Sequence, residues 1–240
     1  MKAWAPAVRQ LCCGMLAVMM MQAVEANSLV PPFIATYTMK VGIARGETTM
    51  SMREDGGGMF LFETEIKPKG FVKMFVRGKV TETSHFVYDD GGVTPIDYVR
   101  LDTLNDKNTN IQFDWDTGIV TSTYKDETRE EVLAPGILDR QLLLFAFMHD
   151  LLNEVDRVSY TMVDRKGRLK TYEVSMLGEE KIDTPAGRFR TVKFEHRTPD
   201  SSRITTLWCA PDLHFLPARI EQRKDDDKPS RAELMTFEGL

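Results

Sequence analysis

From about residue 33 onward, apolar and polar side chains alternate one by one over most of the chain. Tyr37, Met39 and Val41 alternate with Thr38 and Lys40, and Ile111, Phe113 and Trp115 alternate with Gln112 and Asp114. Successive side chains of a strand point to opposite faces, so each run carries one apolar face and predicts a half-buried strand. Turn residues separate the runs and set up antiparallel hairpins. Asp116-Thr117-Gly118 leads into a strand with Val120, Ser122 and Tyr124 on one side. Arg165-Lys166-Gly167 leads into one where Tyr172, Val174 and Met176 face one way and Thr171, Glu173 and Ser175 the other. Pro185-Ala186-Gly187 makes a further hairpin, and a closing pair runs from Ile220 through KDDDKPS to Phe237. The triplet Gly56–Gly58, after Glu54-Asp55, reads as another hairpin turn, with no phosphate needed to explain it.

One stretch breaks the rhythm. PGILDRQLLLFAFMHDLLNE, Pro135 to Glu154, has no internal turn signal and is rich in helix formers, and Asp139 is a candidate N-cap. It predicts a helix over about 140–153. Leu142 to Met148 are consecutively apolar, and a helix apolar almost all round is buried on more than one side. It is either a core helix clamped by a curved sheet or a plug in a cavity that can also take an apolar ligand. With no linker, low-complexity tract or solenoid repeat, residues 27–240 read as a single, mainly β domain built on a curved antiparallel sheet.

The first residues follow another logic. Lys2 and Arg9 precede an apolar run from Leu11 to Val24 that ends in Val24-Glu25-Ala26, the pattern of a secretory signal peptide (1–26) cleaved after about Ala26. The run is short for a bilayer span, which needs about 20 residues, so the mature chain is expected to be periplasmic and not transmembrane. Cys12 and Cys13 sit inside the apolar run, without the small residues that precede a lipidated cysteine. Loss of Lys2, Arg9 and Glu25 takes the formal net charge from −5 to −6, which argues against nucleic acid as a partner. Cys209 is the one cysteine left, so no intrachain disulfide can form and stability must come from a core.

Sequence signatures of chemistry are sparse. There is no G-x-S-x-G, P-loop, G-x-G-x-x-G, H-E-x-x-H or C-x-x-C. His85, His149, His196 and His214 are scattered, and His149 has Asn153 one helical turn later where a zinc pair needs a second histidine. Asp225-Asp226-Asp227-Lys228 reads as a solvated hairpin tip, not a calcium loop. Neither a metal nor a cofactor is expected. The stretch LWCAPDLHFLPARIEQR brings Cys209, Asp212 and His214 close in sequence. A thiol nucleophile needs a base at hydrogen-bonding distance and a lowered pKa. Here Cys209 falls within a strand over 204–210 and His214 lies beyond a turn, with a return strand over 216–223. The reading is strand, corner, strand, with Asp212 as a turn residue and Cys209 as a small buried hydrophobe; no catalytic residue is assigned.

At this corner the residues resemble a family. TLWCAPDLHFLPARIE is similar to the C-terminal signature of an exported bacterial domain-of-unknown-function family, number thirty-one-oh-eight. YTMKVGIARGETTMSM, DDGGVTPIDY, LDRQLLLFAF and EEKIDTPAGRFRTVKFE match further pieces in that family's order. The resemblance covers about residues 33–240 and makes Trp208, Pro211, Asp212, Leu216 and Pro217 its structural signature. Cys209 stands where the family is expected to carry an aromatic or aliphatic residue. The resemblance supplies no activity. It implies an architecture similar to the lipoprotein-carrier (LolA/LolB-like) proteins, an open half-barrel wrapped around helical segments.

On this reading the chain is a periplasmic, non-enzymatic protein that binds or carries an apolar ligand, a lipid or acyl chain. Trp115, Leu143, Phe147, Tyr172 and Phe194 are the candidate cavity lining. A cell-envelope assembly or scaffold module, its barrel filled by its own helix and its partner another envelope protein, is the alternative. An enzyme using Cys209 and His214 is a third. A cavity of about 300 Å³ or more beside Leu143 and Phe147, open to solvent, separates ligand binding from scaffolding.

Overall fold

The computed structural model describes residues 28–240 apart from 76, 90, 199–200 and 226–227, and leaves aside the side chains of 72 and 74. The expected leader with its cleavage point, Cys12 and Cys13, and the middle of the Asp225–Lys228 tip lie outside the described residues.

The alternating runs form a meander. Strands β1 (Phe33–Val41), β2 (Ala44–Gly56), β3 (Met59–Lys69), β4 (Val80–Asp89), β5 (Gly92–Asp102), β6 (Thr109–Asp114), β7 (Ile119–Tyr124) and β8 (Glu127–Val132) each pair antiparallel with the next. The chain then enters β9 (Ile137–Leu138) and helix α1 (Leu142–Leu152). It returns through β10 (Ser159–Val163), β11 (Leu169–Thr184), β12 (Gly187–Arg197), β13 (Arg203–Ala210), β14 (Leu216–Lys224) and β15 (Ser230–Glu238). β15 pairs antiparallel with β1, so the two meanders join into one sheet of fifteen strands among the described residues. The sheet is curved and open, and its one parallel contact is the short β9–β10 pair. Bulges at Thr36/Tyr37, His85/Phe86, Met176/Gly178 and Trp208/Cys209 add local twist to long strands and help the sheet wrap.

The sheet curls until its two arms meet without closing. Tyr98, Ile111, Phe113 and Val120 of β5–β7 form a small core with Ile137 and Val163 of β9–β10. Gly167, in the β10–β11 turn, has a φ of +74°, and a Cβ there would come within 2.7 Å of the Ser122 side chain on β7, so only glycine allows this approach. The free edge β8, ETREEV, is exposed and charged, which discourages pairing with another sheet.

Helix α1 lies inside the curl. Asp139 acts as its N-cap, as expected: its Oδ1 accepts from the amides of Gln141 and Leu142 at 2.7 and 3.0 Å, and its carbonyl accepts from Leu143 N–H at 3.2 Å. Residues two apart on a helix point to nearly opposite sides. Phe145 therefore packs on Tyr88, Phe86 and Phe62 (centroids 4.8, 5.3 and 6.0 Å), while Phe147 packs on Phe194 and Tyr160 (4.9 and 6.0 Å). This two-sided clamp explains a helix without a polar face. At its C-terminal end the Tyr88 hydroxyl accepts a hydrogen bond from Val30 N–H (2.7 Å) and shares another with His149 Nδ1 (3.0 Å). Tyr160 donates to Asp150 (2.8 Å).

Candidate ligand-binding site

Below α1 the curl is not full. A cavity of about 630 Å³ separates the helix from the concave face of the sheet. Leu143, Leu144 and Phe147 share one helix face by their i, i+3 and i, i+4 spacing and form its roof. Tyr37, Met39, Met50, Phe62 and Ile66 of β1–β3 wall one side, and Tyr160, Met162, Val174, Phe194, Leu207 and Ile220 of β10–β14 the other. Asp164, Arg168, Thr198, Ser201 and Ser230 also line it, all at the ends of strands β10–β15. The mouth therefore opens at the end of the half-barrel carrying the β1–β2, β10–β11, β12–β13 and β14–β15 turns, and α1 stops the opposite end.

Leu143, Phe147, Tyr172 and Phe194, the residues expected to line a cavity, line this one. Trp115 does not. β6 ends at Asp114, one residue short of Trp115, and its inward face, with Ile111 and Phe113, belongs to the small core of β5–β7 and not to the cavity. Its ring sits in the β6–β7 turn, 38 % exposed, with Nε1 donating to the Pro95 carbonyl at 2.7 Å.

The wall is not uniformly apolar. Glu82, on the buried side of β4 with Ser84 and Phe86, takes ion pairs from Arg100 and Arg140, the latter at 2.9 Å. Arg100 also donates to Asp102 at 2.8 Å. The Glu82 charge holds the half-exposed Arg140 guanidinium firmly protonated. Nearer the mouth, Lys170 and Arg203 line the cavity and take part in none of the ion pairs among the described residues. Tyr172 stacks 5.2 Å from His196. Burial pushes the Tyr172 hydroxyl pKa up, against the opposing charges of Arg140 and Arg203. His196 Nδ1 is buried without a hydrogen-bond partner, and burial pushes the imidazole down to about 4, so it is neutral at pH 7. The site is thus apolar in depth and cationic at its entrance.

Glu82, Arg140, Lys170, His196 and Arg203 join this site without any motif that marks them. A signal existed: Lys170 shares a strand face with Tyr172 and Val174, Arg203 with Thr205 and Leu207, and Glu82 with Phe86 and Tyr88. A charged residue on the apolar side of an alternating run marks a wall that is only partly core.

The Cys209 cluster is not assembled as a reactive triad. The Cys209 thiol is fully buried, and burial raises its pKa, which leaves it protonated and unreactive. No hydrogen bond joins it to His214 or Asp212 among the described residues. Asp212 lies in the 3-10 turn Pro211–Leu213 as a turn residue, exposed, and its carboxylate accepts no backbone hydrogen bond among the described residues. The corner is held instead by two left-handed residues, His214 (φ 50°) and Phe215 (φ 61°), whose amides donate to the Pro211 and Ala210 carbonyls at 3.2 and 2.9 Å. Leu216 and Pro217 are buried as the return strand begins, and the Pro217 carbonyl accepts from Tyr37 Oη at 3.0 Å. Trp208, on the face opposite Cys209, lies between Lys193 and Arg219, 5.0 and 5.5 Å from its ring, and donates to Glu180 at 2.9 Å. Trp208, Leu216 and Pro217 are thus buried supports of the corner.

A family model described as "Protein of unknown function (DUF3108)" matches residues 33–234. The chain belongs to the DUF3108 family. The match runs from the start of β1 into β15, so the whole sheet, the helix and the cavity are features of one DUF3108 domain. Among solved structures, a β-barrel-like protein of the DUF1849 domain of unknown function from Brucella abortus aligns with a TM-score of 0.57 at 8 % identity, covering 89 % of this chain and 99 % of that one. At such identity the likeness concerns the fold alone. A Bacteroides fragilis protein with a YmcC-like fold aligns at a TM-score of 0.33 and 12 % identity, over 88 % of this chain and 97 % of its own, too loosely to bear on the DUF3108 domain. No match was found among curated proteins.

Proposed function

We propose that this DUF3108 domain is a non-catalytic protein of the bacterial cell envelope that holds an apolar ligand, a lipid or acyl chain, in its half-barrel. The observation that carries the reading is the cavity: about 630 Å³, roofed by apolar helix side chains, walled largely by apolar strand residues with charged ones set among them, and open at one end. Small-molecule sites typically enclose about 300–1,000 Å³. Each Å² of apolar ligand surface removed from water contributes about 25 cal/mol, so such a space binds usefully without a catalytic group. Lys170 and Arg203 at the entrance suit a ligand whose polar end stays near solvent. The leader pattern over residues 1–26 supports an exported, periplasmic location.

Native mass spectrometry of protein purified from an exporting host tests the reading. Co-purifying lipid, or uptake of a fluorescent fatty acid, is expected. Val174→Trp, which places a large ring in the cavity, is expected to abolish uptake while preserving the fold. Consistent absence of both lipid and uptake in the unmodified protein overturns the proposal.

A further inference from the structure

The connection between β3 and β4 carries a feature that the cavity does not use. EIKPKGFVKMFVRGK, Glu65 to Lys79, holds five cations and one carboxylate in a chain whose net charge is −5. Lys67 and Lys79 both pair with Glu65, and Lys69 pairs with Glu47; Lys73 and Arg77 enter no ion pair among the described residues. Between these cations Phe71 and Phe75 stand 72 % and 71 % exposed, their ring centroids 4.8 Å apart. The 3-10 turn Gly70–Met74 packs against β2, whose hairpin tip presents Ile43 at 99 % exposure. The segment is anchored: Lys79 N–H donates to Thr103 Oγ1 at 2.8 Å, and Thr103 N–H to the Lys79 carbonyl at 3.0 Å.

Register fixes where this patch lies. Arg45 of β2 pairs with Lys69, Val41 pairs with Ala44 across the β1–β2 turn, and Val41 also pairs with Ser230 of the cavity lining. The exposed aromatics, the unpaired cations and the cavity mouth therefore share one end of the half-barrel.

We infer that this end docks on an anionic lipid bilayer, Phe71 and Phe75 entering the interface while Lys73, Arg77 and their neighbours meet the headgroups. Exposed aromatic tips set among cations, on a protein that is otherwise acidic, complement a surface that is apolar beneath a negative layer. Docking turns the mouth toward the membrane, a route for a lipid between bilayer and cavity. That purpose rests on the proposed function; the docking itself does not.

Vesicle flotation separates the two. The protein is expected to float with vesicles of phosphatidylglycerol and phosphatidylcholine, to float at least about tenfold less with phosphatidylcholine alone, and to lose binding as salt rises. Phe71→Ser/Phe75→Ser and Lys73→Glu/Arg77→Glu should each weaken flotation by about tenfold or more, from lost apolar burial and lost attraction respectively. Both should leave fatty-acid uptake in vesicle-free solution, and the thermal midpoint, unchanged. Ile43→Ser is a second apolar variant, at a side chain with no packing to lose, should the aromatic pair prove necessary for folding. Equal flotation on both vesicle types, insensitivity to the substitutions, or a vesicle-independent dimer that Phe71→Ser/Phe75→Ser abolishes would each overturn the inference, the last in favour of a second copy. Flotation without fatty-acid uptake would defeat the ligand proposal and leave docking standing.

Discussion

The carboxyl of Asp139 caps α1 from a position with no solvent exposure. Its Oδ1 accepts from two amides, and burial pushes its pKa up to about 7 against these hydrogen bonds and one from Ser84. A carboxyl whose pKa rises on folding binds its proton more tightly in the folded state, so its contribution is greatest below the unfolded value near 4 and is lost as pH rises towards 7. Asp139→Asn keeps an oxygen for the cap and removes the charge. The variant is expected to lose that slope and to gain stability above pH 7, on the order of 3 kcal/mol, in denaturant titrations from pH 4 to 8; an unchanged slope would refute the assignment. Trp208 is the other residue with an outsized role, because its indole joins Glu180 of β11, Lys193 of β12 and Arg219 of β14. Truncation to Ala should cost about 3–5 kcal/mol by thermal or chemical unfolding, whereas Cys209→Ala should cost much less and leave ligand uptake intact.

At the scale of elements, α1 shows which packing the sequence could announce. A run from Leu142 to Met148 without a polar position announces burial on two sides, and the Phe145 and Phe147 clamps are that burial. What the run does not announce is that Leu143 and Leu144 face empty space, since a leucine in a core and a leucine roofing a cavity obey the same pattern. Truncation distinguishes them. Phe145→Ala removes a ring packed on three others and should destabilise by about 3–5 kcal/mol, while Leu143→Ala, at a half-buried position with nothing opposite, should cost about 1 kcal/mol and change ligand uptake instead. The hairpins were legible for a different reason: Asp116-Thr117-Gly118, Arg165-Lys166-Gly167 and Pro185-Ala186-Gly187 are local turn chemistry, decided within a few residues. Trp115 misses the cavity because alternation says which face a residue takes, but neither where its strand stops nor which of two cores that face meets. For Glu82, Lys170 and Arg203 the alternation marks a charge on an apolar face, but only the third dimension brings those faces together into one wall.

For the whole molecule, a ligand that binds only the folded form must stabilise it by mass action, by about 2.7 kcal/mol at a concentration one hundred times its Kd. Adding a fatty acid to delipidated protein should therefore raise the thermal midpoint in a concentration-dependent way, and Val174→Trp should remove that rise. The pairing of β1 with β15 sets a further condition. Tyr37 lies opposite Leu234, about 200 residues away along the chain, at the seam between the two meanders. Each meander can zip up locally, hairpin by hairpin, but the central ladder must wait for the final strand to emerge. Contacts so distant in sequence slow folding and leave edges exposed in the meantime. Until β15 arrives, β1 and β14 are two naked edges of one chain, open to pairing with neighbours. Crossing a membrane unfolded and then assembling outside would make that interval the period in which this protein most needs a chaperone.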